Sequence, residues 1–255
     1  MTATSSLLSV RNLTKRLGGR PILKGVSLEV APAERIVIIG RSGGGKSVFL
    51  KHIIGLLKPD GGTVHYHGTE LSNLGEEALN PYRRCIGMLF QNGALFDSMS
   101  VEENLAFPLR EAHSFTVHQI RDRVAEALEM VDLPGQQRKM PAELSGGMRK
   151  RVALARAIIT RPEMMLYDEP TTGLDPILSD SINRLILRLS EKLKMACIVV
   201  THDMVSAFMI AQRISYLHEG LFYFQGTPDE VRHNEDPLVK KFVHGISDER
   251  DATIY

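Results

Sequence analysis

The sequence predicts an α/β protein with a mostly parallel sheet, a small antiparallel β region ahead of it and a helical segment inserted into it. The β-branched run from Ile36 to Ile39 is typical of a strand buried on both faces of a parallel sheet. A glycine-rich loop and a helical pattern follow this run directly. From Ser100 the apolar spacing is helical, and strand-like runs return after about residue 160.

The antiparallel region is predicted before Ile36. Leu7 to Val10, Ile22-Leu23 and Val26 to Val30 are short strand-like stretches, separated by Gly18-Gly19 and Lys24-Gly25. Glycine favours tight turns between strands, so we expect a small antiparallel sheet ahead of the core.

Residues 40–47 fit the phosphate-binding pattern G-x-x-x-x-G-K-[ST] at every fixed position. The loop would deliver phosphates to the positive end of the following helix, with Lys46 reaching the β- and γ-phosphates and Ser47 ligating Mg²⁺. A glycine-rich turn that only connects two elements is the alternative, and the preceding strand and following helix disfavour it. The candidate ATP-binding residues are Gly40, Arg41, Ser42, Gly43, Gly44, Gly45, Lys46, Ser47 and Val48.

The inserted segment covers about residues 97–160. Ser100 with Glu103, and Thr116 with Gln119, have the spacing of capping boxes at two helix starts. A third helix begins at residues 145–147, Ser-Gly-Gly, which form a second helix terminus suited to an anion. Taken alone, this stretch favours an ordinary capped helix.

Two carboxylates follow the strand-like run that begins at Met164. Asp168 would hold Mg²⁺, directly or through a water, and Glu169 would polarise a water that attacks the γ-phosphate. Asp175 is a predicted helix N-cap. His202 follows another buried strand, from which it could donate a hydrogen bond to the γ-phosphate.

Composition limits the classes of function and cellular location that the chain could have. The 255 residues carry 31 basic and 30 acidic side chains, so no broad basic surface for nucleic acid is expected. Cys85 and Cys197 lie in apolar runs, which favours core packing in a reducing compartment. No run of about 18 apolar residues is present, so we expect a cytoplasmic protein that docks onto its partners.

Taken in order, these motifs resemble the ATP-binding subunit of an ABC transporter over nearly the whole chain. The ordered set is residues 40–47, Gln91, residues 144–147, Asp168-Glu169, residues 173–175 and His202. The resemblance implies a P-loop NTPase core of the RecA-like kind, an N-terminal antiparallel β subdomain and an inserted ABC α-helical subdomain. It implies one ABC ATPase domain over residues 1–246, with the helical subdomain at about 97–160 and a polar tail at 247–255.

The resemblance also implies that two subunits sandwich two ATP molecules with Mg²⁺, head to tail. Ser145, Gly146 and Gly147 would bind the ATP held by the other subunit, and Asp175 would serve communication between the two. The implied catalytic residues are Glu169, His202, Gln91 and Lys46. The implied metal ligands are Ser47, Gln91 and Asp168.

Two positions depart from the family pattern. Met148 stands where the family usually has glutamine, which should weaken polar contacts between subunits. Leu17 stands where the family usually stacks an aromatic ring on adenine, so stacking must be weaker or come from elsewhere.

A narrower resemblance is to the ATPases of Mla-type phospholipid transporters, carried by residues 46–55, 89–97 and 106–111 and by Met148. It implies an integral membrane permease docking near Gln91 to Phe96, an MCE-domain lipid-binding protein, and a place on the cytoplasmic face of the inner membrane. An importer ATPase for a small solute is the alternative within the family. A soluble ABC ATPase acting on DNA or ribosomes is a further alternative, and a P-loop kinase would leave residues 145–147 unexplained.

Overall fold

The computed structural model describes residues 6–246, and the predicted polar tail lies outside them. The strands in chain order are β1 (Leu8–Leu17), β2 (Arg20–Val30), β3 (Arg35–Ile39), β4 (Gly61–Tyr66), β5 (Thr69–Glu70), β6 (Ile86–Leu89), β7 (Met164–Asp168), β8 (Ala196–Thr201), β9 (Arg213–His218) and β10 (Leu221–Gly226). The helices are α1 (Lys46–Ile53), α2 (Glu76–Cys85), α3 (Val101–Glu111), α4 (Val117–Met130), α5 (Gly146–Ile158), α6 (Pro176–Leu193), α7 (Met204–Ile210), α8 (Pro228–Arg232) and α9 (Pro237–His244). A turn of 3₁₀-helix, Pro141–Glu143, precedes α5.

The predicted antiparallel region is a four-stranded sheet in the order β2-β1-β4-β5. The predicted antiparallel sheet is confirmed, but its first two strands are longer than the short stretches in the sequence, because β1 and β2 form one hairpin around Gly18-Gly19. Lys24-Gly25 does not break β2. Gly25 has a φ of +115°, and the register shifts between Leu13 and Thr14 on the facing strand, so this glycine marks a bulge within a continuous strand.

The second sheet has the order β10-β9-β3-β8-β7-β6. Its strands are parallel from β9 to β6, and β10 pairs with β9 as an antiparallel edge strand. All four residues from Ile36 to Ile39 are fully buried, as expected of a central parallel strand. These features confirm the predicted α/β fold class.

The two faces of β3 belong to two hydrophobic cores because successive side chains point to opposite faces of a sheet. Val37 and Ile39 pack in a core shared with α3, α4, α5 and α6. Ile36 and Ile38 pack in a second core with α1 and the antiparallel sheet. The parallel sheet is therefore covered on both sides.

Several helices begin at the capping residues that the sequence predicts. The capping boxes Ser100/Glu103 and Thr116/Gln119 are both formed, and Asp175 caps α6 through the amides of Ile177 and Leu178 at 3.0 and 2.9 Å. Within residues 6–246, no helix is both long enough and apolar enough to cross a membrane.

Candidate functional site

The candidate site lies at the carboxyl ends of adjacent parallel strands. The order β3-β8-β7-β6 brings together the segments that follow these four strands, as is usual in open α/β sheets. A cleft of about 240 Å³ opens there. It is lined by Ser42, Gly43, Gly45, Lys46, Ser47, Val48, Gln91, Glu169 and His202.

The loop between β3 and α1 needs glycine at two positions. Gly40 has a φ of +158°, and a Cβ atom there would lie 2.5 Å from the carbonyl oxygen of Leu217. Gly45 has a φ of +98°, and a Cβ atom there would lie 3.0 Å from the side chain of Ile22. A side chain at either position would displace the loop that ends at Lys46, the first residue of α1.

The Lys46 ammonium is buried at the base of the loop. Its Nζ atom donates to the carbonyl oxygens of Gly40 and Arg41 at 2.7 and 3.0 Å and lies 3.4 Å from Oε1 of Glu169. Burial lowers the pKa of Lys46, and the negative charge of Glu169 opposes that shift. The site therefore holds a desolvated cation beside a carboxylate.

Ser47, in the first turn of α1, contacts Asp168, the last residue of β7, although 121 residues separate them in the sequence. The Ser47 hydroxyl donates to Oδ1 of Asp168 at 2.7 Å. Burial raises the pKa of the Asp168 carboxyl, which is only 6% exposed, and the Ser47 hydrogen bond opposes that rise. A hydroxyl and a carboxylate in contact are the hard oxygen donors that Mg²⁺ prefers.

Glu169 is held by contacts on every side. Its φ of +49° places it in the left-handed region, and its amide donates to the Val200 carbonyl at 2.9 Å. Oε2 lies 2.9 Å from Nδ1 of His202 and accepts from the Thr172 hydroxyl at 3.3 Å. With Lys46 on Oε1, both carboxylate oxygens have partners, and the side chain is fixed at the cleft.

The other predicted residues stand apart from this cleft. Ser145 caps α5 through the amide of Met148 at 3.3 Å, and it is exposed together with Gly146. Gly147 is packed so that a Cβ atom there would lie 3.3 Å from Leu178 on α6. Asp175 uses its carboxylate to cap α6. Within one chain, none of these four residues lines the cleft.

The two departures from the family pattern are also visible. Leu17 ends β1 and is 40% exposed, and Met148 is half-buried at the start of α5. Neither residue lines the cleft.

Two residues at the site were not predicted. Thr172 contacts Glu169, and Lys150 on α5 donates from its ammonium to the carbonyl oxygen of Gln91. Lys150 lies in the basic run Arg149 to Arg151, where the sequence signals a charged helix surface and does not show that the middle residue is buried. Burial lowers the pKa of Lys150, while the charges of Asp168 and Glu169 oppose that shift.

The chain is similar in sequence to known transport proteins. The sequence model of the ABC transporter family matches residues 23–172. The probable ribonucleotide transport ATP-binding protein mkl of Mycobacterium leprae is 38% identical over 96% of this chain and 73% of its own. The intermembrane phospholipid transport system ATP-binding protein MlaF of Haemophilus influenzae is 40% identical over 95% of this chain and 92% of its own length. The methionine import ATP-binding protein MetN of Brucella abortus is 38% identical over 98% of this chain and 68% of its own length.

A solved structure agrees with the sequence comparison. The ATP-binding cassette MJ0796, in a dimeric post-hydrolysis state bound to ADP and Pi, matches with a TM-score of 0.80 at 33% identity, over 87% of this chain and 98% of that one. The likeness to ABC ATP-binding subunits and the narrower likeness to an Mla-type ATPase are both confirmed. This chain belongs to the ABC transporter family, and it is a nucleotide-binding ATPase subunit.

Proposed function

We propose that this ATPase energises the movement of phospholipid between membranes, as one of two identical subunits under a membrane permease. The observation that carries hydrolysis is the placement of Glu169 between Lys46 and His202, all three of which line the cleft. The observation that favours phospholipid is the 40% identity to MlaF, which extends over 92% of that relative.

In the proposed reaction, Glu169 is the general base. Its carboxylate accepts a proton from the water that attacks the γ-phosphate, and its fixed position directs that water. Lys46 neutralises charge on the β- and γ-phosphates, and His202 donates a hydrogen bond to the γ-phosphate. Residues 40–48 wrap the phosphates with backbone amides at the N-terminus of α1.

The oxygen donors around Ser47 fit a bound Mg²⁺. Ser47 and Asp168 are already in contact, and Gln91 borders the same cleft. These three residues would hold the ion, Asp168 directly or through a water. When bound, the ion would neutralise charge that develops on the phosphate oxygens.

Two head-to-tail copies would complete the site. Ser145 and Gly146 are exposed at the start of α5, apart from the cleft of their own chain. In the proposed dimer these residues and Gly147 present a helix N-terminus to the γ-phosphate bound by the partner. Asp175, at the start of α6, would report the state of one site to the other.

An apolar surface beyond Gln91 suits the permease. Phe96 and Phe107 are 41% and 37% exposed, with ring centroids 5.1 Å apart. Exposed aromatic pairs of this kind are typical of protein contact sites. An MCE-domain lipid-binding protein would join the complex on the far side of the permease.

A small-solute importer is the second candidate function, favoured by the 38% identity to MetN. The catalytic residues would be the same in either case. The deciding experiment is to purify the tagged chain from its host membranes in mild detergent, identify the copurifying proteins and extract bound lipid. A permease with an MCE-domain protein and phospholipid supports our proposal. A permease with a solute-binding protein identifies the importer, and ribosomal or DNA-associated proteins without a membrane partner contradict both.

A further inference from the structure

A buried cation connects helix α5 to the loop that carries Gln91. The Lys150 ammonium, on a residue only 7% exposed, donates a hydrogen bond to the carbonyl oxygen of Gln91. Lys150 lies three residues beyond Gly147, so the helix that begins with residues 145–147 also holds the loop of its own cleft.

Two further residues of the same helix face contact this loop. Nη2 of Arg156 donates to the Gly93 carbonyl at 3.0 Å, and its guanidinium lies 5.7 Å from the centroid of the Phe96 ring. Between the two cations, Ala153 packs so closely that a Cβ atom at Gly93 would lie 3.2 Å from its methyl group. Positions 150, 153 and 156 therefore share one side of α5 and follow the loop along its length.

The far end of the loop is held from α3. Asn104 is fully buried, and its amide group accepts from the Phe96 amide at 2.8 Å and donates to the Phe96 carbonyl at 3.0 Å. It also donates to the carbonyl oxygens of Met99 and Ser100. The loop is thus held at both ends by side chains, and displacement of Gln91 requires breaking a hydrogen bond to a charged donor.

A neutral side chain of similar length would fill the same space at a lower desolvation cost. The ammonium of Lys150 is stabilised instead by the Gln91 carbonyl and by the nearby charges of Asp168 and Glu169. The buried cation therefore holds the Gln91 backbone while it lies within the electrostatic influence of the two carboxylates.

We infer that Lys150 is a positioning residue that holds the Gln91 backbone so that the Gln91 side chain is directed at the bound divalent ion. The inference rests on the proposed role of Gln91 as a metal ligand. It makes a cation on α5 part of the support for the metal site, and it ties the position of Gln91 to the helix start that would serve the partner's ATP.

The test measures metal binding and not turnover. The full-length protein is loaded with the non-hydrolysable analogue adenylyl imidodiphosphate, and the affinity for Mn²⁺ is measured by electron paramagnetic resonance. Lys150→Met should weaken Mn²⁺ binding about tenfold, as is usual for the loss of a group that orients a metal ligand. Lys150→Arg should recover most of the affinity. The exposed Lys192→Met on α6 is the matched control and should bind Mn²⁺ as the parent does.

A double-mutant cycle with Gln91→Ala separates the positioning role of Lys150 from the metal-ligand role of Gln91. If Lys150 acts through Gln91, the double variant should bind Mn²⁺ no more weakly than Gln91→Ala alone. Parent-like binding by Lys150→Met, or losses that multiply in the double variant, would overturn the inference while leaving Gln91 as a ligand. An unchanged affinity in Gln91→Ala would remove the proposed metal role of Gln91, and the inference with it.

Discussion

The Nδ1 atom of His202 lies 2.9 Å from the Oε2 atom of Glu169, although the two residues follow different strands of the parallel sheet. Lys46 approaches the other oxygen of the same carboxylate at 3.4 Å. The carboxylate has almost no freedom to rotate, and it is only 10% exposed, while the His202 side chain is 51% exposed. The Glu169 carboxylate is therefore held in one orientation, so substitutions that keep its size test its chemical role.

Glu169→Gln should leave ATP binding intact and lower turnover about 100-fold or more, because a carboxamide cannot accept the proton of the attacking water. We also expect the variant to accumulate as a closed dimer with ATP, measurable by size-exclusion chromatography with light scattering. The matched control is Glu129→Gln on the exposed side of α4. Hydrolysis by Glu169→Gln at the parent rate would show that another group is the general base.

Ser145→Arg should lower ATP hydrolysis about 100-fold while each isolated chain still binds nucleotide. The arginine would replace the exposed N-cap of α5 with a bulky side chain at the surface proposed to meet the partner's ATP. Turnover and the binding of a fluorescent ATP analogue are measured side by side, with Ser114→Arg in an exposed loop as the control. Retained hydrolysis would contradict the shared site.

Asp168→Asn should make the nucleotide-free protein more stable at pH 8 and abolish metal-dependent turnover. Burial raises the pKa of Asp168, so its contribution to folding is favourable below about pH 4 and is lost as the pH rises through the raised pKa. The carboxamide keeps an oxygen acceptor for Ser47 but carries no charge. We expect a gain of about 1 kcal/mol at pH 8, or about 2–4 °C in the unfolding midpoint.

The stability gain of Asp168→Asn should shrink as the pH falls toward 4, because the native carboxyl is then protonated. Thermal unfolding, followed by circular dichroism across this pH range, checks whether the stability gain falls with pH as expected. Asp97→Asn, at an exposed position, is the control. A gain that is the same at pH 4 and pH 8 would mean that the charge of Asp168 does not destabilise the fold.

Leu17→Tyr should tighten ATP binding about 2- to 10-fold, because an aromatic ring at the end of β1 would supply base stacking that leucine cannot. Leu17 is 40% exposed, so the larger ring should fit without disturbing a core. Titration calorimetry with ATP and with triphosphate alone makes the test specific. The gain should appear with ATP and be absent with triphosphate, and an equal change with both would exclude stacking.

Local patterns in the sequence determined much of the fold. The capping boxes at Ser100 and Thr116 and the N-cap at Asp175 were predictable because each side chain bonds to amides two or three residues away. The buried strand from Ile36 to Ile39 was predictable from composition alone. Helix α2 was missed because it contains Pro81 and buries only Leu79, so no apolar period marks it.

The candidate site was predictable in its parts and not in its contacts. The sequence by itself indicated a phosphate loop at Lys46-Ser47 and carboxylates at the end of a strand, since each is a short motif in a recognisable context. Only the tertiary structure decided that Ser47 meets Asp168, and that Lys150 reaches Gln91 across 59 residues. Such contacts depend on strand order and register, which come from the packing of the whole chain, whereas a sequence pattern records only the hydrogen bonds and apolar spacing of near neighbours.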